Sequence, residues 1–183
     1  MIKKTGFTLI ETIIAATIFL IVLIIALSAF ISGLKYNKTG IDRVEQVESA
    51  RNTINFILND ISTSDHIYNV QNGLDLLTVR KELYQGEEIV SKIINYNAEE
   101  IDNTLYNIYQ TEYPSDYDPS HPDPSKKPVF SKIIGRNVKN ISVNYDNTSY
   151  MFYDVSVTTT SLLKLINMPS DYTLKSRVTR KSF

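Results

Sequence analysis

The sequence predicts an α+β fold in which one long N-terminal helix packs on an antiparallel β-sheet. No residue from Thr12 to Leu34 is ionisable, and apolar residues then recur at spacings of three and four as far as Ile61. From Ile67 onward the apolar period changes to two, which is typical of strands with one buried face. A long amphipathic helix followed by an antiparallel meander is the α+β arrangement, in which the helix covers one face of the sheet.

The N-terminal region combines a short basic leader, residues 1–6, with an apolar run whose only charged residue is Glu11. As a helix, residues 12–34 would reach about 35 Å at roughly 1.5 Å per residue, enough to cross the hydrocarbon core of a bilayer. A carboxylate near the edge of that core costs a few kcal/mol, so Glu11 requires a partner. The nearest candidate is the α-ammonium group that cleavage between Gly6 and Phe7 would create.

The segment Lys3-Lys4-Thr5-Gly6-Phe7-Thr8-Leu9-Ile10-Glu11 resembles the cleavage site of type IV pilins and type II secretion pseudopilins. The resemblance implies that a prepilin peptidase cuts after Gly6 on the cytoplasmic side of the membrane and N-methylates Phe7. It also implies that Glu11, the fifth mature residue, pairs with the N-terminal amine of a neighbouring subunit during filament assembly. This resemblance strictly covers the chain only up to about residue 35.

The function implied by the resemblance is that of a minor pilin or pseudopilin subunit in a type IV pilus or type II secretion-like filament. Its partners would be prepilin peptidase, other pilin or pseudopilin subunits, the inner (cytoplasmic) membrane and an assembly platform protein. The chain would cross that membrane once, with its C-terminal domain outside, and then join an extracytoplasmic filament. Within the family, Arg51–Ile61 and the order of the later strands are similar to J-type minor pseudopilins.

Other interpretations of the N-terminus remain open. A secretory signal peptide cut near Ala26-Leu27-Ser28 would have an unusually long apolar core containing an acid, and a plain membrane anchor would leave Glu11 unexplained. An alternative function is a pilin-anchored binding subunit, either an adhesin or a DNA-uptake pilin. The sequence does not distinguish secretion, adhesion, motility and DNA uptake, because all of these filaments share this helix.

Composition narrows the possible chemistry of the chain. The absence of cysteine excludes disulfides, lipobox anchoring, thiol catalysis and Cys-ligated metals. A formal net charge of −1 does not suggest a nucleic-acid binder. No nucleophile elbow, P-loop, dinucleotide fingerprint or HExxH motif is present, so we expect neither an enzyme nor a cofactor.

The predicted organisation is a leader (1–6), a transmembrane or filament-core half of the helix (7–34), an amphipathic half (35–63) and a globular β domain (64–183). The expected buried stripe comprises Ile41, Val44, Val47, Ala50, Ile54, Ile57, Leu58 and Ile61. Ser32-Gly33 is the expected weak point of the helix. The polar cluster Asn59–Ser64 is expected to end the helix near Ser62, because its side chains compete for backbone hydrogen bonds.

Strands are predicted in pairs across the rest of the chain. The pairs are Ile67–Gln71 with Leu74–Val79 across Asn72-Gly73, Glu88–Tyr96 with Thr104–Gln110 across a turn at Ala98–Asn103, and Val138–Tyr145 with Tyr150–Thr159 across Asp146-Asn147-Thr148-Ser149. On the last of these strands Met151, Tyr153, Val155 and Val157 share one face. The last strand, Asp171–Lys181, should be half-exposed, with Tyr172, Leu174 and Val178 on its buried face.

Tyr113–Pro128 contains five of the six prolines and is predicted to be a loop, because proline has no N–H for a sheet ladder. Asp116, Asp118 and Asp123 offer oxygen ligands for calcium, but the glycine and distal Glu of an EF-hand are missing, which favours a solvated loop. A bulky loop suits a filament subunit present in few copies.

Two further groups of residues are candidate sites. Asp60, Asp65 and His66 could form a hydrolytic or metal-binding set, although a helix end followed by a solvated turn is the favoured interpretation. The twelve tyrosines are interpreted as core and sheet-surface residues rather than as a stacking platform for ligands.

Overall fold

The computed structural model describes residues 8–70, 75–85, 88–102, 104–121, 123, 125–146, 152–161 and 171–179. Within these residues it contains one helix and seven strands, which confirms the α+β prediction. The elements are α1 (Leu9–Ser62), β1 (His66–Val70), β2 (Asp75–Gln85), β3 (Glu88–Asp102), β4 (Leu105–Tyr113), β5 (Phe130–Asp146), β6 (Phe152–Thr160) and β7 (Asp171–Thr179). The chain forms two compact units, which divide after Ile41.

The N-terminal unit is the apolar part of α1. Every described side chain up to Lys38 is exposed, and the helix is long and apolar enough to cross a membrane. It continues without interruption through the expected weak point at Ser32-Gly33. The hydroxyl of Ser32 donates to the carbonyl of Ser28 at 2.8 Å, so this polar side chain is satisfied within the helix.

The remainder of α1 packs on the sheet within the second unit. Its buried residues are Gln46, Ala50, Thr53, Ile54, Ile57, Asp60 and Ile61. The predicted stripe is therefore wrong at its start, because Ile41 and Val44 are each 56% exposed and Val47 is only partly buried. The observed buried row has alternating spacings of four and three residues. It consists of Gln46, Ala50, Thr53, Ile57 and Asp60, three of which are polar.

The end of α1 follows from the polar cluster, as predicted. The carbonyl of Asn59 accepts hydrogen bonds from the backbone N–H of Thr63 at 3.1 Å and from its hydroxyl at 2.7 Å. The hydroxyl of Ser64 donates to the carbonyl of Ile61 at 2.9 Å. Side chains thus satisfy carbonyls that a continuing helix would otherwise have bonded.

The seven strands form one antiparallel sheet in the order β1-β2-β3-β4-β5-β6-β7, so each strand pairs with its neighbours in sequence. This confirms the predicted strand pairs, although several bounds were wrong. The turn expected at Ala98–Asn103 is strand as far as Asp102, and Ala98 is buried opposite Ile108. The Asn72-Gly73 turn, the 147–149 turn, Met151 and Lys181 lie outside the described residues.

The core lies between α1 and one face of the sheet. Ile54, Ile57 and Ile61 of the helix meet a layer of strand residues that includes Val79, Tyr96, Ile108, Val138, Val155 and Val157. The predicted alternation of β6 is confirmed, because Tyr153, Val155 and Val157 are all buried. Each fully buried aliphatic side chain contributes about 1.5–3 kcal/mol of transfer free energy.

β5 starts at Phe130 and not at Val138, so the prediction missed the first part of this strand. Pairing with β4 shifts register between Tyr106 and Tyr109, and Asn137 has a φ of 53°. This bulge turns the backbone of Arg136 towards α1, where the Ser49 hydroxyl accepts from its N–H and donates to its carbonyl, both at 2.7 Å. The helix and β5 are therefore joined by hydrogen bonds as well as by apolar packing.

Candidate functional site

The start of α1 is organised by a reciprocal pair of hydrogen bonds between Thr8 and Glu11. The Glu11 carboxylate accepts from the backbone N–H and the hydroxyl of Thr8, both at 2.9 Å. The Thr8 hydroxyl in turn accepts from the backbone N–H of Glu11 at 3.3 Å. This is a capping box, in which residues three apart satisfy two N–H groups that the first turn leaves unpaired.

The capping box gives the acid in the apolar run an intrachain role. Glu11 is the acidic residue of the first helical turn, where a negative charge interacts favourably with the helix dipole. An ionised carboxylate can accept about four hydrogen bonds, so the two donors of Thr8 leave capacity for another donor. Gly6 and Phe7 lie outside the described residues, but Phe7 directly precedes Thr8 in sequence. The proposed new N-terminus is thus one residue from a donor that Glu11 already binds.

The other polar side chains of the apolar run need no outside partner. The hydroxyls of Thr12, Thr17 and Ser28 each donate to the carbonyl four residues earlier, at 2.8–3.2 Å. Such bonds remove most of the cost of placing a hydroxyl in hydrocarbon. Of the described polar groups between residues 8 and 34, the carboxylate of Glu11 is therefore the group best suited to bind a neighbour.

A second polar cluster surrounds Asp60, which is only 3% exposed. Its carboxylate accepts from Lys81 Nζ at 2.6 Å, from Gln110 Nε2 at 2.7 Å and from the hydroxyl of Tyr96. Burial, followed by the nearby Asp60 charge, raises the pKa of Tyr96 well above its usual range. The interpretation of Asp60 as part of a solvated turn was wrong, because three donors from the sheet hold it in the interior.

Asp65 and His66 do not join Asp60 in a catalytic or metal-binding set. The Asp65 carboxylate accepts from the backbone N–H of Glu82 at 2.5 Å, and its own N–H donates to the carbonyl of Arg80 at 2.9 Å. His66 begins β1, with its ring 6.3 Å from that of Tyr68. Among the described residues no three Asp, Glu or His side chains form a group able to hold a metal ion.

The acidic residues of the proline-rich loop are each engaged separately. Asp116 pairs with Lys126, whose Nζ also donates to the Asp116 carbonyl at 2.6 Å. Asp118 accepts from the N–H of Ser120 at 2.9 Å and lies 3.1 Å from His121 Nδ1, while Asp123 accepts from the N–H of Ser125 at 2.9 Å. These contacts, led by the hydrogen bond from Lys126, lower the pKa of Asp116, and local hydrogen bonds lower that of Asp118 and Asp123. The structure does not bring the three candidate calcium ligands together.

Sequence reasoning missed the partners in both polar clusters. Thr8 was identifiable, because Thr8-x-x-Glu11 ahead of an apolar run is the signature of a capping box. Asp60 carried a weaker signal: it lies three residues after Ile57 and seven after Thr53, on the buried face of α1. Lys81, Tyr96 and Gln110 carried none, because they come from three different strands.

Comparison with known proteins identifies the N-terminal segment. Residues 1–27 match the family model described as the prokaryotic N-terminal methylation motif, the signature of type IV pilins and pseudopilins. No curated protein and no solved structure matches the chain. Together the motif and the apolar helix support a type IV pilin-like or pseudopilin subunit, which implies processing by prepilin peptidase, membrane anchoring and assembly with other pilin subunits.

Proposed function

We propose that this chain, which carries the methylation motif, is a minor subunit of a type IV pilus or type II secretion-like filament, inserted in the membrane and assembled through α1. The observation that carries the proposal is an acid, Glu11, in the first turn of an apolar helix and within the residues that match the motif. Cleavage after Gly6 would leave Phe7 as the mature N-terminus, at the same end of that helix.

The geometry at Thr8 supports a role for Glu11 in assembly. Its carboxylate is oriented by its own chain, which lowers the entropy that a neighbour must remove in order to bind it. A neighbour's N-terminal ammonium would add a charge-assisted hydrogen bond in a low-dielectric surrounding, where such bonds are strong. We infer that Thr8 holds Glu11 ready for this contact.

The experiment that tests the proposal is mass spectrometry of the mature chain from cells that contain the filament system. The expected N-terminus is an N-methylated Phe7, and replacing Gly6 by a bulky leucine should leave the full-length precursor. A chain cut near Ala29 in wild type and variant alike would instead identify an ordinary signal peptide. Uncleaved wild-type protein would identify a plain anchor.

The minor role is supported by the loop between β4 and β5, which spans positions 114–129 and contains no strand among its described residues. In a close-packed helical filament every copy must present the same surfaces to its neighbours, so a bulky insertion is best tolerated in a subunit with few copies. Quantitative mass spectrometry of purified filaments should find far fewer copies of this chain than of the most abundant pilin. Near-equal abundance would overturn the minor role and leave the pilin assignment intact.

We further propose that the subunit acts without catalysis and without a cofactor. Its buried polar cluster is closed on itself, since Asp60 is surrounded by Lys81, Tyr96 and Gln110. Such a cluster is suited to joining helix and sheet rather than to binding a substrate.

A further inference from the structure

The two edges of the sheet differ in how open they are. β1 forms one edge with only five residues, and beyond it the N–H of Glu82 on β2 is bonded to the carboxylate of Asp65 at 2.5 Å. β7 forms the other edge with nine residues, all paired with β6 from Asp171 to Thr179. Among the described residues no strand pairs with the second side of β7. Among the described residues β7 is therefore the longer of the two edges.

β7 also has two chemically distinct faces. Thr173, Lys175, Arg177 and Thr179 are exposed, whereas Tyr172, Leu174 and Val178 are partly buried against the core. Arg177 is engaged by Asp154, with its Nε and Nη2 at 2.6 and 2.7 Å from the two carboxylate oxygens. Lys175 has no ion pair within the described part of the chain. An added strand would thus meet an apolar row on one face and a free cation on the other.

We propose that β7 accepts an extended segment of a different filament subunit, with acidic residues facing Lys175 and apolar residues facing Leu174 and Val178. The proposal rests on the proposed function, because it names the kind of partner that the subunit meets. In strand addition, main-chain hydrogen bonds provide affinity and alternate side chains provide specificity. Acidic side chains opposite Lys175 supply that specificity through opposite-charge pairing across strands.

The same charge argues against a second copy of this chain as the occupant. A symmetric antiparallel pair of β7 strands over their full length would place Lys175 of one copy opposite Lys175 of the other. Like charges directly opposite each other destabilise a strand pair. The β7 edge is consequently suited to an acidic segment of a different protein. This agrees with the proposed minor role, in which the neighbours of the chain in the filament are other subunits.

The test uses the purified full-length chain in detergent micelles and two nine-residue fluorescent peptides that match β7 in length. One peptide alternates glutamate with valine, and the other replaces each glutamate with lysine. We expect the acidic peptide to bind at least about tenfold more tightly by fluorescence anisotropy. It should also slow hydrogen exchange of the outer β7 amides, which are the alternate N–H groups that point away from β6. Lys175→Glu should reverse the preference. Lys127→Glu, the same change at an exposed loop residue, should leave it as in wild type.

Several results would overturn the proposal. Equal affinity for both peptides, or binding of neither, would show that β7 does not select an acidic strand. Slow exchange of the outer β7 amides in the monomer without peptide would show that the chain covers this edge itself. A dimer with protected outer β7 amides would identify a second copy as the occupant. Each of these outcomes leaves cleavage after Gly6 unaffected, so failure of this proposal is distinguishable from failure of the pilin assignment.

Discussion

Lys81 Nζ lies 2.6 Å from Asp60 Oδ1, so that the last turn of α1 and the middle of β2 are joined by an ion pair. The two side chains are 15% and 5% exposed. The net value of a buried ion pair is small, because desolvation offsets the attraction, but losing one partner is costly. This asymmetry makes the free energy of unfolding sensitive to substitution at Asp60.

Replacing Asp60 with asparagine is expected to lower the free energy of unfolding by about 3–5 kcal/mol, because it leaves the Lys81 ammonium buried without its counter-charge. Glu45→Gln provides a matched control, since it neutralises an exposed carboxylate on the same helix and should change stability by less than about 0.5 kcal/mol. Urea unfolding of the detergent-solubilised chain measures both. A loss below about 1 kcal/mol for Asp60→Asn would show that Lys81 reaches water when its partner is removed.

Tyr96 should make stability depend on pH in the alkaline range. Because burial, and then Asp60, raises the pKa of Tyr96 in the folded chain, the unfolded chain loses this proton first as the pH rises. The contribution of protonated Tyr96 to the free energy of unfolding is complete below the ordinary tyrosine pKa. It declines above about pH 10, by at most about 1.4 kcal/mol per pH unit. Urea unfolding from about pH 8 to about pH 11 should therefore show a shallower decline for Tyr96→Phe than for wild type. Parallel curves for the two proteins would contradict this assignment.

Gly135→Ala is expected to destabilise the chain by about 1–3 kcal/mol through overpacking. An added Cβ would overlap the Thr53 hydroxyl and lie 3.3 Å from Val138 Cγ2. Either the Thr53 side chain would have to rotate away from the carbonyls that it binds, or α1 would have to move away from β5. Thr53→Ala in the same chain should recover part of the loss. Gly40→Ala is the control, because nothing lies within 4 Å of its added Cβ and helix propensity improves by about 0.8–1.0 kcal/mol. Thermal melting of wild type, Gly135→Ala, the Thr53→Ala/Gly135→Ala double variant and Gly40→Ala measures these differences.

Ile57→Asp is expected to unfold the second unit, since a fully buried side chain would be replaced by an unpaired charge. Val44→Asp, on the same helix at a position 56% exposed, should leave the fold unchanged. Circular dichroism should show loss of the strand signal for the first variant only. An unchanged melting curve for Ile57→Asp would mean that the helix does not depend on this contact with the sheet.

Glu11→Ala is expected to be processed and inserted but to enter filaments poorly, because a neighbour's N-terminal amine would lose its counter-charge in a low-dielectric core. Thr8→Val should have a milder effect of the same kind, since it removes the hydroxyl from the capping box but leaves the carboxylate. Immunoblots of sheared filaments against membrane fractions measure incorporation. Normal incorporation of Glu11→Ala would show that charge pairing is dispensable for this subunit.

Features that depend on neighbours in sequence were predictable. The length of α1 and its end at Ser62 follow from an unbroken helical period and the hydroxyl side chains after Asn59. The alternation in β6 likewise placed Val155 and Val157 in the core. In each case a few adjacent residues carry the whole signal, so no knowledge of tertiary contacts is needed.

Features that depend on distant residues were not predictable. The local chemistry around Asp60 favours a turn, and only Lys81, Tyr96 and Gln110, which come together after the sheet forms, make its burial tolerable. The early start of β5 was hidden because the bulge at Asn137 interrupts the period of two. At the N-terminus the hydrogen bonds of Thr8 to Glu11 are local and could have been predicted from their spacing. The proposed pairing of Glu11 with another subunit involves a second chain and rests on the resemblance.

The closure of the proline-rich loop makes this loop a suitable place to attach a label. The N–H of Val129 donates to the carbonyl of Glu112 at 2.8 Å, so the two ends of the loop are held side by side. An epitope tag inserted at the exposed Ser125 would therefore lengthen only the loop, and a single cysteine there would add only a label to it. Neither change should shift the register of β4 on β5. Because the native chain contains no cysteine, a dye attached there would be the only label on each subunit. Individual copies could then be counted along single filaments by fluorescence microscopy.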